Sequence, residues 1–357
     1  MIKLRFWLCQ LRKNPLATVV ACLLISITLG LILGLDWGEG FDLWSIVSLV
    51  LFNAAFLFVL IKRKQLKFWF HQLRRNPLSL VGIAIILTFI IIAVFAPLIA
   101  PTPEGHFDPY QIPRDGYSPV PQPPSEEHTF GTTQGQYDIF YGVIWGTRSA
   151  FQVGLIVIGV VLIIGIVLGS LAGYFGGIID EVIMRVTDIF LAFPTLILAM
   201  AIVVALGPSL NSVMIALAAV SWPVYTRLVR GDILAVREED YVEAARGIGA
   251  SHPRIIIKHI LPNSIYPALI MASLDIGAIV LAAAALSFLG LGAPEGYADW
   301  GQMINFARNW IVGPPGDPFA YWYTVIIPGL FIFTFVMGWN LLGDAFRDIL
   351  DPRLAKR

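Results

Sequence analysis

Long uninterrupted apolar stretches dominate the pattern of hydrophobic and polar positions. Eight runs read as spans: residues 16–35, 43–61, 78–100, 150–171, 189–206, 210–228, 264–289 and 323–342. A bilayer core is crossed by about 20 predominantly apolar residues in a helix. The fifth run is short and is broken by Pro194. The first is longer than the apolar region of a typical signal peptide and no A-x-A-like cleavage site follows it, so it reads as a span. The pattern predicts an all-α polytopic membrane protein.

Two polar intervals stand out. Residues 101–147 contain eight prolines between Pro101 and Pro124, and so many fixed φ angles and missing donors preclude regular structure in the first half. It reads equally as a docking surface and as a passive linker. A short repeat precedes two of the runs: residues 6–16 (FWLCQLRKNPL) and 68–78 (FWFHQLRRNPL) agree at eight of eleven positions. Aromatic and basic residues together suit the headgroup zone, where rings anchor and cations meet anionic lipid.

Composition sharpens this. The chain has 357 residues, 57% apolar and 13% charged, where soluble domains run about 45–50% and about 25%. An ordinary soluble enzyme is excluded. Net charge is zero, which gives no support for nucleic-acid binding. With the N-terminus inside, 21 of the 24 Lys and Arg fall on the inner side and only Arg114, Arg148 and Arg308 outside. That bias places both termini in the cytoplasm. Cys9 and Cys22 are the only cysteines, too few for a disulfide framework, and no Cys/His cluster has metal-ligand spacing.

The most informative interval is the inner segment 237–263, REEDYVEAARGIGASHPRIIIKHILPN. Glu238, Glu239 and Asp240 suit the first turn of a helix, Ala244 and Ala245 favour its interior, and Gly249 can end it in the left-handed conformation. Ser251 then reads as the N-cap of a second short helix, with Pro253 in its first turn and Pro262 past its end. Two short helices with a sharp bend make a protruding knob suited to a partner's groove.

These residues carry a resemblance. Glu243-Ala244-Ala245, Gly249 and Leu261-Pro262 have the spacing of the EAA loop of ABC importer permeases. Phe130-Gly131-Thr132, Leu171-Ala-Gly-Tyr-Phe-Gly-Gly177, Asp188-Ile-Phe-Leu-Ala-Phe-Pro194, Ser221-Trp-Pro223, Arg227-Leu-Val-Arg-Gly231, Ser287-Phe-Leu-Gly-Leu-Gly292, Asn340-Leu-Leu-Gly-Asp344 and Asp351-Pro-Arg353 resemble the dipeptide/oligopeptide/nickel permease family. The likeness runs from about Phe68 to Arg353. His259 stands where the general pattern prefers Ile, as is usual in the peptide branch. The Thr133–Asp138 stretch lacks an Arg common in the family, so any role of that Arg is not carried over.

The resemblance implies a type I ABC importer transmembrane domain with a six-helix core over residues 68–357. Residues 1–67 are then a basic anchor with two additional N-terminal transmembrane helices, expected to be a peripheral scaffold or lipid-binding element. It implies a permease subunit of the bacterial or archaeal plasma membrane, forming half of a translocation pathway for peptides. Nickel chelates, glutathione or oligosaccharides are the alternative solutes. Implied partners are a second homologous permease, two ATP-binding cassette subunits, an extracytoplasmic solute-binding protein and membrane lipids. Glu243, Ala244, Ala245, Gly249, His259, Leu261 and Pro262 would form the ATPase-coupling loop. ATP and Mg would bind the partner ATPases, consistent with the absence of a G-x-x-x-x-G-K-[ST] run here; catalysis in this chain is not expected. A self-sufficient secondary transporter would need paired halves, and the repeat covers only an anchor. A purely structural membrane protein would not need the knob.

Ionisable residues inside spans are costly, about 2.5–3.5 kcal/mol on insertion scales. Asp275 lies inside the seventh run. It reads either as lining the pathway, facing a cation such as a peptide amine, or as a structural partner of a polar group on the paired permease. Asp188, three residues after Arg185, reads as an interfacial helix-pairing residue.

Overall fold

The structure, a computed structural model, describes residues 77–103 and 108–350. Spans 16–35 and 43–61, and the first copy of the repeat, lie outside the described residues. Apart from Pro77, the described residues belong to the unit Leu78–Arg357.

Every long apolar run within this range is helical. In chain order the helices are α1 (Pro77–Ile99), α2 (Ile139–Phe175), α3 (Gly177–Leu191), α4 (Thr195–Leu206) and α5 (Leu210–Arg237). There follow α6 (Asp240–Gly247), α7 (His252–Ile255), a π-helical turn (Ile256–Ile260), α8 (Leu261–Ser264) and α9 (Tyr266–Phe288). The series ends with α10 (Trp300–Phe306) and α11 (Trp322–Leu350). Extended pairing among the described residues is limited to the isolated bridges Gln111–Tyr297 and Thr132–Asp138. The architecture is all-α, with α1, α2, α5, α9 and α11 each long and apolar enough to cross a membrane.

The fifth predicted span is two helices rather than one. α3 and α4 meet at an angle of 89°, with Pro194 as the N-cap of α4. Proline lacks a donor and forces the preceding residue, Phe193, out of the helical region. The 12 residues of α4 cover only about 18 Å, well under the ~30 Å of a bilayer core. Counting the bent pair as one span completes a set of six.

The fourth span is the opposite case. α2 starts at Ile139 and runs for 37 residues, so the irregular stretch ends at Asp138 and not at Thr147. Asp138 fixes the start, its Oδ1 accepting from Tyr141 N at 2.7 Å. Arg148 made this segment look polar, yet it is buried. Its Nε donates to Ala93 O at 2.6 Å, and Nη2 reaches Val94 O at 3.4 Å. Pro97 lies inside α1 and has no N–H to offer Ala93 O four residues back. The guanidinium replaces that donor.

α2 and α5 pack closely along Gly165, Gly169 and Gly173. A Cβ on these residues would stand 2.5 Å from Tyr225 Cβ, 2.8 Å from Thr226 O and 2.9 Å from Ile233 Cγ2 respectively. A small residue every fourth position lets two backbones approach in lipid, where no hydrophobic force drives helices together. The proline-rich stretch is also ordered: Ala298 N donates to Tyr110 O at 2.7 Å and Ile112 N to Gly296 O at 2.8 Å, seating it on the segment before α10.

Candidate functional site

The interval between α5 and α9 has the two-helix shape expected of the knob, with local differences. Glu238 and Glu239 fall in the junction before α6 and not in its first turn. Glu238 accepts from Arg237 Nε at 2.9 Å, while Arg237 Nη1 reaches back to the carbonyls of Gly173 and Tyr174 at 3.0 and 3.4 Å. Asp240 and Glu243 remain in the first turn of α6, where carboxylates complement the helix dipole. Burial, and next the Glu239 carboxylate, raise the pKa of the Tyr241 phenol, opposed by a hydrogen bond with Asn263.

Gly249 makes the bend. Its φ is 79°, Gly249 N donates to Arg246 O at 2.9 Å, and Ala250 N donates to Ala245 O at 3.1 Å. This pair of bonds closes a helix through a left-handed residue. Ser251 occupies the N-cap position of α7, but its side chain makes no capping bond; its carbonyl accepts from Ile255 N at 3.0 Å. Pro253 sits in the first turn. Pro262 does not lie past the end of the helix, because the helical path continues through α8. The π-helical turn just before it, with Leu261 N bonded to Ile256 O, widens the backbone by one residue and absorbs the missing donor. Asn263 Nδ2 and Ser264 Oγ then satisfy the carbonyls of His259 and Ile260 at 2.7 and 3.1 Å.

Of the predicted coupling residues, Glu243, Ala244, Gly249 and Pro262 are exposed, His259 and Leu261 half-buried, and Ala245 buried. The close approach that Ala245 permits is therefore to this chain's own core. The tip is apolar: Ile248, between α6 and Gly249, is 87% exposed. At the base, Ala245 joins Tyr174, Val229, Ile233, Val242, Ile255, Ile260 and Ala268 in one buried cluster.

Tyr174 is a residue the sequence reading assigned no role. Its hydroxyl lies 2.7 Å from His252 Nδ1, and Arg246 stands over its ring at 5.7 Å. The glycines at 165, 169 and 173 were equally overlooked; their four-residue spacing was the available signal.

Asp275 has a partner within this chain. Tyr225 donates to its Oδ2 at 2.8 Å, joining α5 to α9, and the same Tyr225 faces Gly165 of α2. Asp188 pairs helices as expected, but with Arg227 of α5 at 2.5 Å, while Arg185 turns to Glu181 at 3.9 Å. Asp180 binds Arg230 through both oxygens at 2.5 and 2.6 Å, a two-pronged geometry that fixes α3 against α5.

Comparisons with known proteins place the chain among transport permeases. Residues 165–356 match the family described as binding-protein-dependent transport system inner membrane component, and residues 65–124 match the N-terminal TM domain of oligopeptide transport permease C. A dipeptide transport system permease protein of Alkalihalophilus pseudofirmus is 44% identical over 80% of this chain and 89% of its own. A glutathione transport system permease protein of Pectobacterium atrosepticum is 38% identical over 81% of this chain and 91% of its own. A solved structure of the MetNI methionine ABC transporter, inward facing, is 18% identical and covers 59% of this chain and 97% of its own, with a TM-score of 0.47. By the extent of the family match and of the identity to these permeases, the chain belongs to the binding-protein-dependent transport system inner membrane components.

Proposed function

We propose that this chain is a permease subunit of an ATP-driven peptide importer and forms half of its translocation pathway. The observation that carries the reading is the knob: two short helices with an exposed apolar residue, Ile248, at the tip, on a chain whose relatives are named as dipeptide and glutathione transport permeases. Glutathione, itself a small peptide, is the alternative solute. Glu243, Ala244, Gly249, His259, Leu261 and Pro262 present or shape the docking surface for a separate ATPase subunit, and Ala245 anchors it from below. Two such ATPases, carrying ATP and Mg, a second homologous permease and an extracytoplasmic binding protein complete the assembly. The chain itself is non-catalytic, and the charge bias of its Lys and Arg supports cytoplasmic termini.

ATP binding closes the ATPases, draws the two knobs together and opens the cavity outward; hydrolysis reverses this. Asp275 is the pathway candidate. Its bond to Tyr225 supports a positional role as well, and the two separate experimentally: Asp275→Asn keeps the hydrogen-bond acceptor, so lost uptake with intact assembly supports the pathway role. Affinity purification of the tagged chain tests the main reading. A second permease and ATPase subunits should accompany it, and full ATP-independent uptake by this chain alone in liposomes would refute it.

A further inference from the structure

We propose that the Tyr174–His252 hydrogen bond is the latch that passes knob movement into α2, making Tyr174 a positioning residue for coupling. The proposal rests on the reading of the knob as the ATPase-docking element.

The knob is covalently continuous with α5 and α9 only. α2 has no chain connection to it, yet α2 ends on it. Tyr174, the penultimate residue of α2, is 7% exposed and meets both knob helices: its hydroxyl lies 2.7 Å from His252 Nδ1 at the start of α7, and its ring lies under Arg246 at the end of α6. Phe175 packs against the same imidazole, with ring centroids 5.9 Å apart. Arg237, the last residue of α5, holds the carbonyls of Gly173 and Tyr174, which pins the last turn of α2 where the knob begins. His252 is otherwise on the surface, which means that a pull on the knob reaches Tyr174 through a directional bond and not only through shared apolar packing.

Beyond the latch, the route is stiff. The glycine contacts leave no clearance between α2 and α5 at Gly165, Gly169 and Gly173, and interdigitated backbones move together rather than slide. At the far end of that seam stands Tyr225, bonded to Asp275. Knob, α2, α5 and α9 are thus joined by two tyrosine hydrogen bonds with a close-packed seam between them.

The test uses the complete complex of both permeases, ATPases and binding protein in liposomes. Tyr174→Phe removes one oxygen and keeps the ring in its cluster. Uptake of dialanine and of glutathione is measured per ATP hydrolysed. Independently of solute, a spin label at Ile163→Cys on the exposed face of α2, with Cys9 and Cys22 replaced by Ser, reports the ATP-dependent response of that helix. Tyr174→Phe should leave co-purification of the ATPases and basal hydrolysis within about twofold, while solute per ATP and the spectral response fall about fivefold or more. His252→Asn, which keeps a hydrogen-bonding atom near the Nδ1 position, should retain coupling, whereas His252→Ala should match Tyr174→Phe and add nothing to it in the double variant. An undiminished ATP response of α2 in Tyr174→Phe overturns the latch, as does a parent protein whose α2 label does not respond to ATP. Failure of the parent chain to bind ATPases would instead refute the docking reading.

Discussion

Alanine at Gly165 separates close helix approach from mere tolerance of a small residue. The added methyl would stand 2.5 Å from Tyr225 Cβ and 3.1 Å from its carbonyl carbon, whereas nonbonded carbons settle at about 3.5–4.0 Å. Relief requires α2 and α5 to separate by about 1 Å, and overpacking of this kind costs about 1–3 kcal/mol. Replacing a helical Gly by Ala returns about 0.5–1 kcal/mol. The net loss is therefore up to about 2.5 kcal/mol, centred on about 1 kcal/mol. Gly159, on the same helix, isolates the favourable part, because nothing lies within 4 Å of a Cβ built there. In purified complex, the thermal midpoint of Gly165→Ala should fall, by about 2–4 °C per kcal/mol for a domain of this size, while that of Gly159→Ala holds or rises. Equal shifts for the two variants would refute the seam. Since Tyr225 also serves Asp275, Gly165→Ala should lower uptake as well.

Three further outcomes follow from the geometry. Gly249→Ala meets no steric obstacle, so its cost is the left-handed backbone alone, about 1–2 kcal/mol, read as weaker retention of ATPase subunits at unchanged permease expression. Arg148→Met leaves the Ala93 carbonyl without its charged donor and should destabilise by about 1–3 kcal/mol; adding Pro97→Ala restores a backbone N–H and should recover most of the loss in midpoint. Burial raises the pKa of the Asp299 carboxyl, opposed chiefly by the Gln302 amide. The folded state therefore holds the proton more tightly than the unfolded, and stability falls as pH rises from about 4 towards the folded pKa. Asp299→Asn should flatten that slope in midpoints measured against pH, and an unchanged slope would show that Asp299 contributes nothing to it.

The parts legible in the sequence were those whose physics is local. Apolar runs at 78–100, 210–228, 264–289 and 323–342 became α1, α5, α9 and α11, because a lipid-facing helix declares itself by composition. The knob was legible because a left-handed glycine after two alanines, and a proline two residues after a serine, constrain the backbone wherever they occur. What was hidden depended on partners distant in the chain. Arg148 reads as polar until Pro97, on another helix, supplies the carbonyl it serves. Pro262 reads as a terminator until a π-helical turn makes room for it. Gly165, Gly169 and Gly173 disappear into an apolar run, since hydropathy weighs a residue and not the space it leaves.

The length of α2 gives these details a common consequence. Its 37 residues extend about 55 Å against a hydrocarbon core of ~30 Å, so the helix is far longer than a crossing requires. At one end the capping residue Asp138 takes His128 Nδ1 at 2.6 Å on its Oδ2, and His128 Nε2 faces Asp115 at 3.3 Å; at the other, Tyr174 meets His252. Rotation of α2 about its axis would carry Leu, Ile or Val side chains into a seam that cannot admit even a methyl group at Gly165. Tilt or translation together with α5 is what remains. On the proposed coupling, a displacement at the knob is expected at Asp138 as well, whereas α3 and α4, bent by 89° at Pro194, have a break at which one would be absorbed. The same chain thus holds one continuous, close-packed membrane segment and one broken at a proline, and on the proposed coupling the first is expected to transmit a displacement and the second to absorb it.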